Sequence, residues 1–300
     1  MHGEIVPEPE GTCGDGLLYT VVDSRRWVFS SSWLGQILPV GLPSYLARVP
    51  TALISLVFPE DCRVCDQPLT EVLRIPVCRS CLNGIEPLSA EYFCVSCRTP
   101  FLNRFPLDDE GRCPLCRSGL RGFDAAYSFG AYEGKLRALI HLFKYSGIRP
   151  LSRPLGGLLS LALPRDQRFD AVVPMPLHWW RRWRRGFNQS ELLAREISRR
   201  CGIPLKGAVR RVKATATQAG LSNSRRRANV SGAFLAKDLR GLRVLLIDDV
   251  MTTGATASAC AMAIKRAGAR SVALLTLARV DRRSPLAVYT GAGAVPGERP

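Results

Sequence analysis

No apolar run in this chain of 300 residues reaches the roughly eighteen that a membrane-crossing helix needs. Residues 44–58 come closest, and Arg48 and Pro50 interrupt them. Positive charge is missing from the N-terminus, where Glu4, Glu8 and Glu10 stand, so a secretory signal is excluded. A Gly-Lys-Ser/Thr run is missing too, which excludes a Walker A loop. Acids are scarce: 25 Asp plus Glu face 42 Lys plus Arg, a formal charge of +17. Such a chain meets something anionic, whether nucleic acid, a phosphate substrate or an acidic surface. With 46% apolar and 22% charged residues, the composition is that of a globular protein and excludes a disordered one. The reading is cytoplasmic.

What is present divides the chain. Residues 1–45 hold Pro, Gly and Ser clusters without periodicity and read as a mobile extension. Residues 46–58 suit one short helix, which leads into a cysteine-rich segment; together they form a module over 46–120. From residue 121 to 281 strands alternate with helices. Strands are expected at 123–132, 170–173, 209–212, 243–247 and 271–278, and helices at 133–145, 151–163, 189–201 and 254–267. That alternation predicts a parallel α/β sheet. Residues 282–300, rich in Gly and Pro, read as a tail.

Eleven cysteines in a cytoplasmic chain are not a disulfide framework. Eight fall in four C-x-x-C pairs: Cys62 and Cys65, Cys78 and Cys81, Cys94 and Cys97, Cys113 and Cys116. Each pair puts two thiolates within reach of one ion, and two pairs complete a tetrahedral site, so eight thiols suit two structural zinc ions. Consecutive pairing gives two ribbons and alternate pairing a cross-brace; consecutive pairing closes the shorter loops. Cys13, Cys201 and Cys260 lack ligand spacing.

The most informative segment follows the strand at 243–247. Four apolar residues, Val244 to Ile247, precede adjacent carboxylates, Asp248 and Asp249. Then come Thr252, Thr253, Gly254, Ala255 and Thr256 at the start of a helix. Amides at a helix N-terminus hold a phosphate, hydroxyls add donors, and Gly254 permits close approach. The carboxylates suit sugar hydroxyls, or a metal beside a polyphosphate. This order resembles the phosphoribosyl-pyrophosphate (PRPP) signature of type I phosphoribosyltransferases. The resemblance implies that Asp248 and Asp249 hold the ribose and that Thr252, Thr253, Gly254, Ala255 and Thr256 hold the 5-phosphate.

Residues 165–230 carry sixteen Lys plus Arg against four acids. Trp179, Trp180 and Trp183 interleave with Arg181, Arg182, Arg184 and Arg185; a second cluster is Arg225, Arg226 and Arg227. Interleaved Trp and Arg can stack bases and track a nucleic-acid backbone, or the same cations can meet pyrophosphate. Both readings stay open here.

Several runs then combine: the cysteine pairs; Phe143, Lys144 and Tyr145; Pro174, Met175 and Pro176; Arg184 through Gln189; Thr217 and Gln218; Arg225 through Asn229; and the PRPP signature. In this order they are similar to the ComF family, linked to competence and single-stranded DNA uptake. The resemblance covers roughly residues 59–279. It implies an α/β, type I phosphoribosyltransferase-like parallel sheet behind a small zinc-ribbon module, with PRPP bound together with magnesium. Asp248, Asp249, Lys144 and Arg225 are the expected catalytic set, the last two against pyrophosphate. Residues 215–231 correspond to the loop that closes over the centre in such transferases. Single-stranded DNA or DNA-uptake machinery is the expected partner beyond PRPP. His141 and His178 are candidates for a base.

Overall fold

A computed structural model of the chain describes residues 60–69, 74–118, 120, 122–177, 180, 183, 185–212 and 232–280. The expected extension 1–45, the helix 46–58, the loop 215–231 with Arg225, and the tail 282–300 lie outside the described residues. So do His178, Trp179, Arg181, Arg182 and Arg184. The described residues form two compact units that divide between Ile85 and Glu86. That boundary falls inside the 46–120 segment and separates the cysteines four and four.

The smaller unit is built on cysteine turns. Asp61 bridges Pro68, the Asp66 N–H donates to the Cys62 carbonyl at 2.8 Å, and Asp66 takes a left-handed φ of 56°. Helix α1 (Arg79–Asn83) follows Cys78.

The larger unit begins with the same device. Strands β1 (Tyr92–Phe93) and β2 (Pro100–Phe101) pair antiparallel around a turn in which the Arg98 N–H donates to the Cys94 carbonyl at 2.9 Å. Arg98 has φ 52°, matching Asp66. Helix α2 (Pro114–Arg117) follows Cys113 as α1 follows Cys78.

Strand β3 (Ala125–Ala131), helix α3 (Gly134–Tyr145), helix α4 (Ser152–Leu161), strand β4 (Ala171–Pro174) and helix α5 (Gln189–Cys201) come next. A short antiparallel pair, β5 (Val209–Arg211) with β6 (Phe234–Ala236), precedes strand β7 (Arg243–Met251), helix α6 (Ala255–Arg266) and strand β8 (Ser271–Arg279). The main sheet runs β3-β8-β7-β4 with every pairing parallel. The expected parallel α/β class is therefore the observed one.

Sequence explains most of these elements. Val244, Leu245, Leu246 and Ile247 are all fully buried, as a central parallel strand covered on both faces requires. On α3, Leu136, Leu139, Ile140 and Phe143 are buried at helical spacing. Helix α5 starts where the Asn188 side chain accepts the Ser190 N–H, and stops at Gly202 with φ 67°. Two differences stand out. Strand β7 does not stop at Ile247, because its ladder to β8 continues through both aspartates to Met251. Strand β6 escapes a pattern search because it is three residues long. Among the described residues, no helix is long and apolar enough to cross a membrane.

Candidate functional site

A cavity of about 290 Å³ opens at the carboxyl ends of β4 and β7, where open α/β sheets take ligands. Neighbouring strand residues point to opposite faces, and the two aspartates accordingly meet different helices. Asp248 accepts a hydrogen bond from the Ser190 hydroxyl of α5 at 3.0 Å and from the Asp249 N–H at 2.9 Å. Asp249 meets the Lys144 ammonium, from the last turn of α3, at 2.9 Å. The Lys144 and Asp249 side chains are only 14% and 12% exposed, so this is not a screened surface pair.

Burial, followed by the Asp249 charge, pushes Asp248 up to about 7; Lys144, the Asp249 N–H and Ser190 pull the other way. Burial alone would lower Lys144, but the Asp249 carboxylate outweighs it and holds the ammonium above its ordinary value. Below the aspartates, Gly254 takes φ 77° and starts α6, whose first residues border the cavity. Their amides have no partner within the helix. Thr252 and Thr256 line the same space. Asp248, Asp249, Lys144, Thr252, Gly254, Ala255 and Thr256 thus line one cavity, whereas Thr253 does not; its hydroxyl instead accepts the Ala255 N–H at 3.4 Å.

The run from Arg185 to Gln189 begins with a cation whose two roles, beside bases or beside pyrophosphate, the sequence leaves open. The Arg185 guanidinium lies over the Tyr145 ring at 5.0 Å and donates to Gln189 Oε1 at 3.2 Å. Gly186 has φ 72°, and Phe187 packs on Phe143. Asn188 caps α5 and donates to the Met175 carbonyl at 3.0 Å. Arg185, Gln189, Ser190 and Arg211 line the cavity. Arg211 and Ser190 carried no sequence signal, since only the fold brings them there; Tyr145 stood in the run with Phe143 and Lys144 but had no role of its own. His141 does not line it: its Nε2 is 3.0 Å from the Tyr132 hydroxyl, and burial followed by Arg137 and Lys144 lowers its pKa.

The cysteines gather consecutively, Cys62, Cys65, Cys78 and Cys81 in one group and Cys94, Cys97, Cys113 and Cys116 in the other, with the sulfurs of each group within 4.8 Å of one another. Thiolates about 2.3 Å from a central ion form a tetrahedron with edges of about 3.8 Å. The sulfurs stand 3.7 Å apart for Cys65 and Cys78, 3.7 Å for Cys94 and Cys116 and 3.6 Å for Cys97 and Cys113. Backbone N–H groups also point at sulfur, Cys78 to Cys62 and Cys113 to Cys94, each at 3.3 Å. Donor set and spacing fit a tetrahedral metal ion in each group.

The chain is similar in sequence to known proteins. A phosphoribosyl transferase domain family model matches residues 187–289. The competence protein F of Haemophilus influenzae is 37% identical over 178 residues, 56% of this chain and 78% of its own. The DNA utilization protein YhgH of Salmonella typhimurium is 30% identical over 233 residues, 75% of this chain and 99% of its own. Among solved structures, glutamine PRPP amidotransferase from B. subtilis with ADP and GMP aligns at TM-score 0.31 and 20% identity. That alignment covers 42% of this chain and 26% of that one. Fold and site define an α/β protein of the phosphoribosyltransferase type, preceded by a cysteine-rich segment. The chain belongs to the ComF family.

Proposed function

We propose that this chain binds PRPP in the cavity and transfers its phosphoribose to an acceptor, releasing pyrophosphate, in DNA uptake or nucleotide salvage. The observation that carries the reading is the convergence of Asp248, Asp249, Lys144 and the residues that open α6 on one cavity. In this reading the aspartates accept the ribose hydroxyls. Thr252, Thr253, Gly254, Ala255 and Thr256 hold the 5-phosphate through amides and hydroxyls. Lys144, Arg185 and Arg211, with Arg225 from outside the described residues, face the pyrophosphate. The bond from the anomeric carbon to pyrophosphate oxygen breaks as the acceptor bond forms, and the electron pair leaves with pyrophosphate. Magnesium, bound with PRPP, would neutralise charge on the departing oxygens. Zinc is the ion assigned to each cysteine group, and closed four-thiolate sites are structural. The names of the relatives, competence protein and DNA utilization protein, support the DNA link.

Calorimetry with PRPP and magnesium, followed by pyrophosphate release across a panel of acceptors, tests this. Arg185→Ala should weaken PRPP about tenfold, the scale of one lost charge-assisted contact, and leave ribose 5-phosphate unaffected. An equal loss for both ligands would remove Arg185 from the pyrophosphate.

A second reading has its own observation. The Trp180 and Trp183 rings stack at 5.3 Å between centroids and are 50% and 73% exposed, an unusual placement for large aromatics. We propose that they form a platform for bases of single-stranded DNA. Oligonucleotide anisotropy should show weak binding that falls steeply with salt, and replacing both Trp by Ala should weaken it about tenfold or more. Binding unchanged in that variant would return the pair to a packing role.

A further inference from the structure

The two cysteine groups differ in their surroundings. In the larger unit, Cys94, Cys97 and Cys113 are 0–1% exposed and share one apolar cluster with Leu120, Met251, Ala255 and Ala257. These last three belong to the phosphate loop and its flanks. Two separate lines of contact join loop and group.

The first runs through Leu120. Gly254 is so closely covered that a Cβ there would stand 2.8 Å from Met251 Cε and 3.1 Å from Leu120 Cδ1. Leu120 in turn donates its N–H to the Leu115 carbonyl at 3.0 Å, and Leu115 sits on α2 between Cys113 and Cys116. A four-residue helix does not persist by itself. Its order comes from the cysteines at its start and in its turn.

The second line runs through Arg279 at the end of β8. Arg279 is 3% exposed. Its guanidinium donates to the Cys97 carbonyl and, at 2.6 Å, to Thr99 Oγ1, which lies 2.9 Å from Cys97 Sγ. Arg279 stands opposite Met251 in the β7–β8 register, and the next residue, Val280, donates its N–H to the Met251 carbonyl at 3.0 Å. The loop therefore rests on the cysteine group at its entry, Met251, and at its exit, Gly254.

We propose that Leu120 and Arg279 are positioning residues that transmit the order of the metal-bound Cys94 group to the 5-phosphate loop. Metal occupancy then sets phosphate affinity. The phosphate part rests on the function proposed above; the ordering of the loop does not. Without an ion, nothing covalent ties four sulfurs that stand at contact distance, and thiolates among them repel. Helix α2 then loses its frame, Leu120 loses its anchor, and Gly254 is free to leave the left-handed conformation.

Hydrogen exchange at residues 252–257 of the full-length, zinc-loaded, ligand-free protein reads the ordering directly. Leu120→Ala and Cys116→Ser should each speed exchange there about tenfold or more, while amides of 244–247 at the sheet centre keep their protection. Leu120→Met, which refills the space, should return the loop to near wild-type rates. In calorimetry, Leu120→Ala should weaken ribose 5-phosphate about tenfold and leave pyrophosphate unchanged, as misplacement of one loop predicts. Unchanged exchange at 252–257 in Leu120→Ala overturns the proposal, as does equal acceleration across loop and sheet, which is loss of general stability. If Cys116→Ser does not fold, Leu120→Ala decides. A wild-type protein that binds neither PRPP nor ribose 5-phosphate would remove the assigned ligand, and the exchange data would still decide the positioning.

Discussion

Asp249→Asn is expected to weaken PRPP at least about tenfold and to lower the melting temperature of the free protein. Asp248→Asn is expected to weaken PRPP similarly yet raise that temperature above pH 7. Each carboxylate would lose a charge-assisted hydrogen bond to ribose, a loss of about 1.5–3 kcal/mol. Their stability effects diverge because their partners differ. Asn at 249 leaves the Lys144 ammonium enclosed without its carboxylate, and breaking a buried pair from one side costs about 3–5 kcal/mol. In a domain of this size that is a fall of roughly 6–20 °C.

Asp248 is the opposite case. Its folded pKa of about 7 lies above its ordinary value, with burial as the main cause. Between about pH 4 and pH 7 the folded chain keeps a proton that the unfolded chain has released. Stability therefore falls as pH rises through that window and is level above it. Asparagine carries no such penalty, so the variant should melt higher than wild type at pH 8 and lose the advantage near pH 4. Calorimetric melting across that range measures it. A wild-type and Asp248→Asn difference that does not vary with pH would refute the proton-holding carboxylate. Full-strength PRPP binding by both variants would refute the ribose assignment.

The other large effect concerns metal. Purified protein should contain two zinc ions per chain, and Cys97→Ser should release one of them and lower the melting temperature of the larger unit by roughly 10 °C or more while its parallel sheet still melts cooperatively. Apparent zinc-binding energies of about 10–16 kcal/mol in small domains exceed the whole stability of most proteins. Cys97 is fully buried in the core cluster, and its carbonyl takes Arg279. Losing that site therefore removes part of the core. Cys78→Ser should release one ion and leave the melting of the larger unit in place, since Cys78 belongs to the unit ending at Ile85. Metal analysis with differential scanning calorimetry tests both. A Cys97→Ser protein that melts as wild type does, or a chain whose eight thiols are oxidised and metal-free, would defeat the expectation.

The contrast between the two cysteine groups shows where sequence reading stops. Spacing alone places four pairs and favours consecutive grouping, because ligand geometry is local. It does not reveal that one group is core, since a cysteine serves as ligand and as small apolar residue in the same letter. Arg279 stands 182 positions after Cys97, and no local pattern connects them. The same division holds at the cavity. Asp248, Asp249 and the residues after them lie on one strand, loop and helix, so their order is legible. Ser190 and Arg211 reach the cavity only through helix and strand placement. Arg185 was legible as part of a motif, but its role depends on Tyr145, forty residues earlier.

The strand order β3-β8-β7-β4 also has a consequence for synthesis. The last described strand to leave the ribosome is not an edge strand; it slots between β3 and β7. Until β8 emerges, β3 has no neighbour in the sheet, β7 has only β4, and the cysteine turn at residues 94–99 waits for the arginine that clasps it. Long-range parallel pairing is slow, and open strand edges invite aggregation. A chain truncated before Ser271 should therefore depend on chaperones, and one that extends past Arg279 should not.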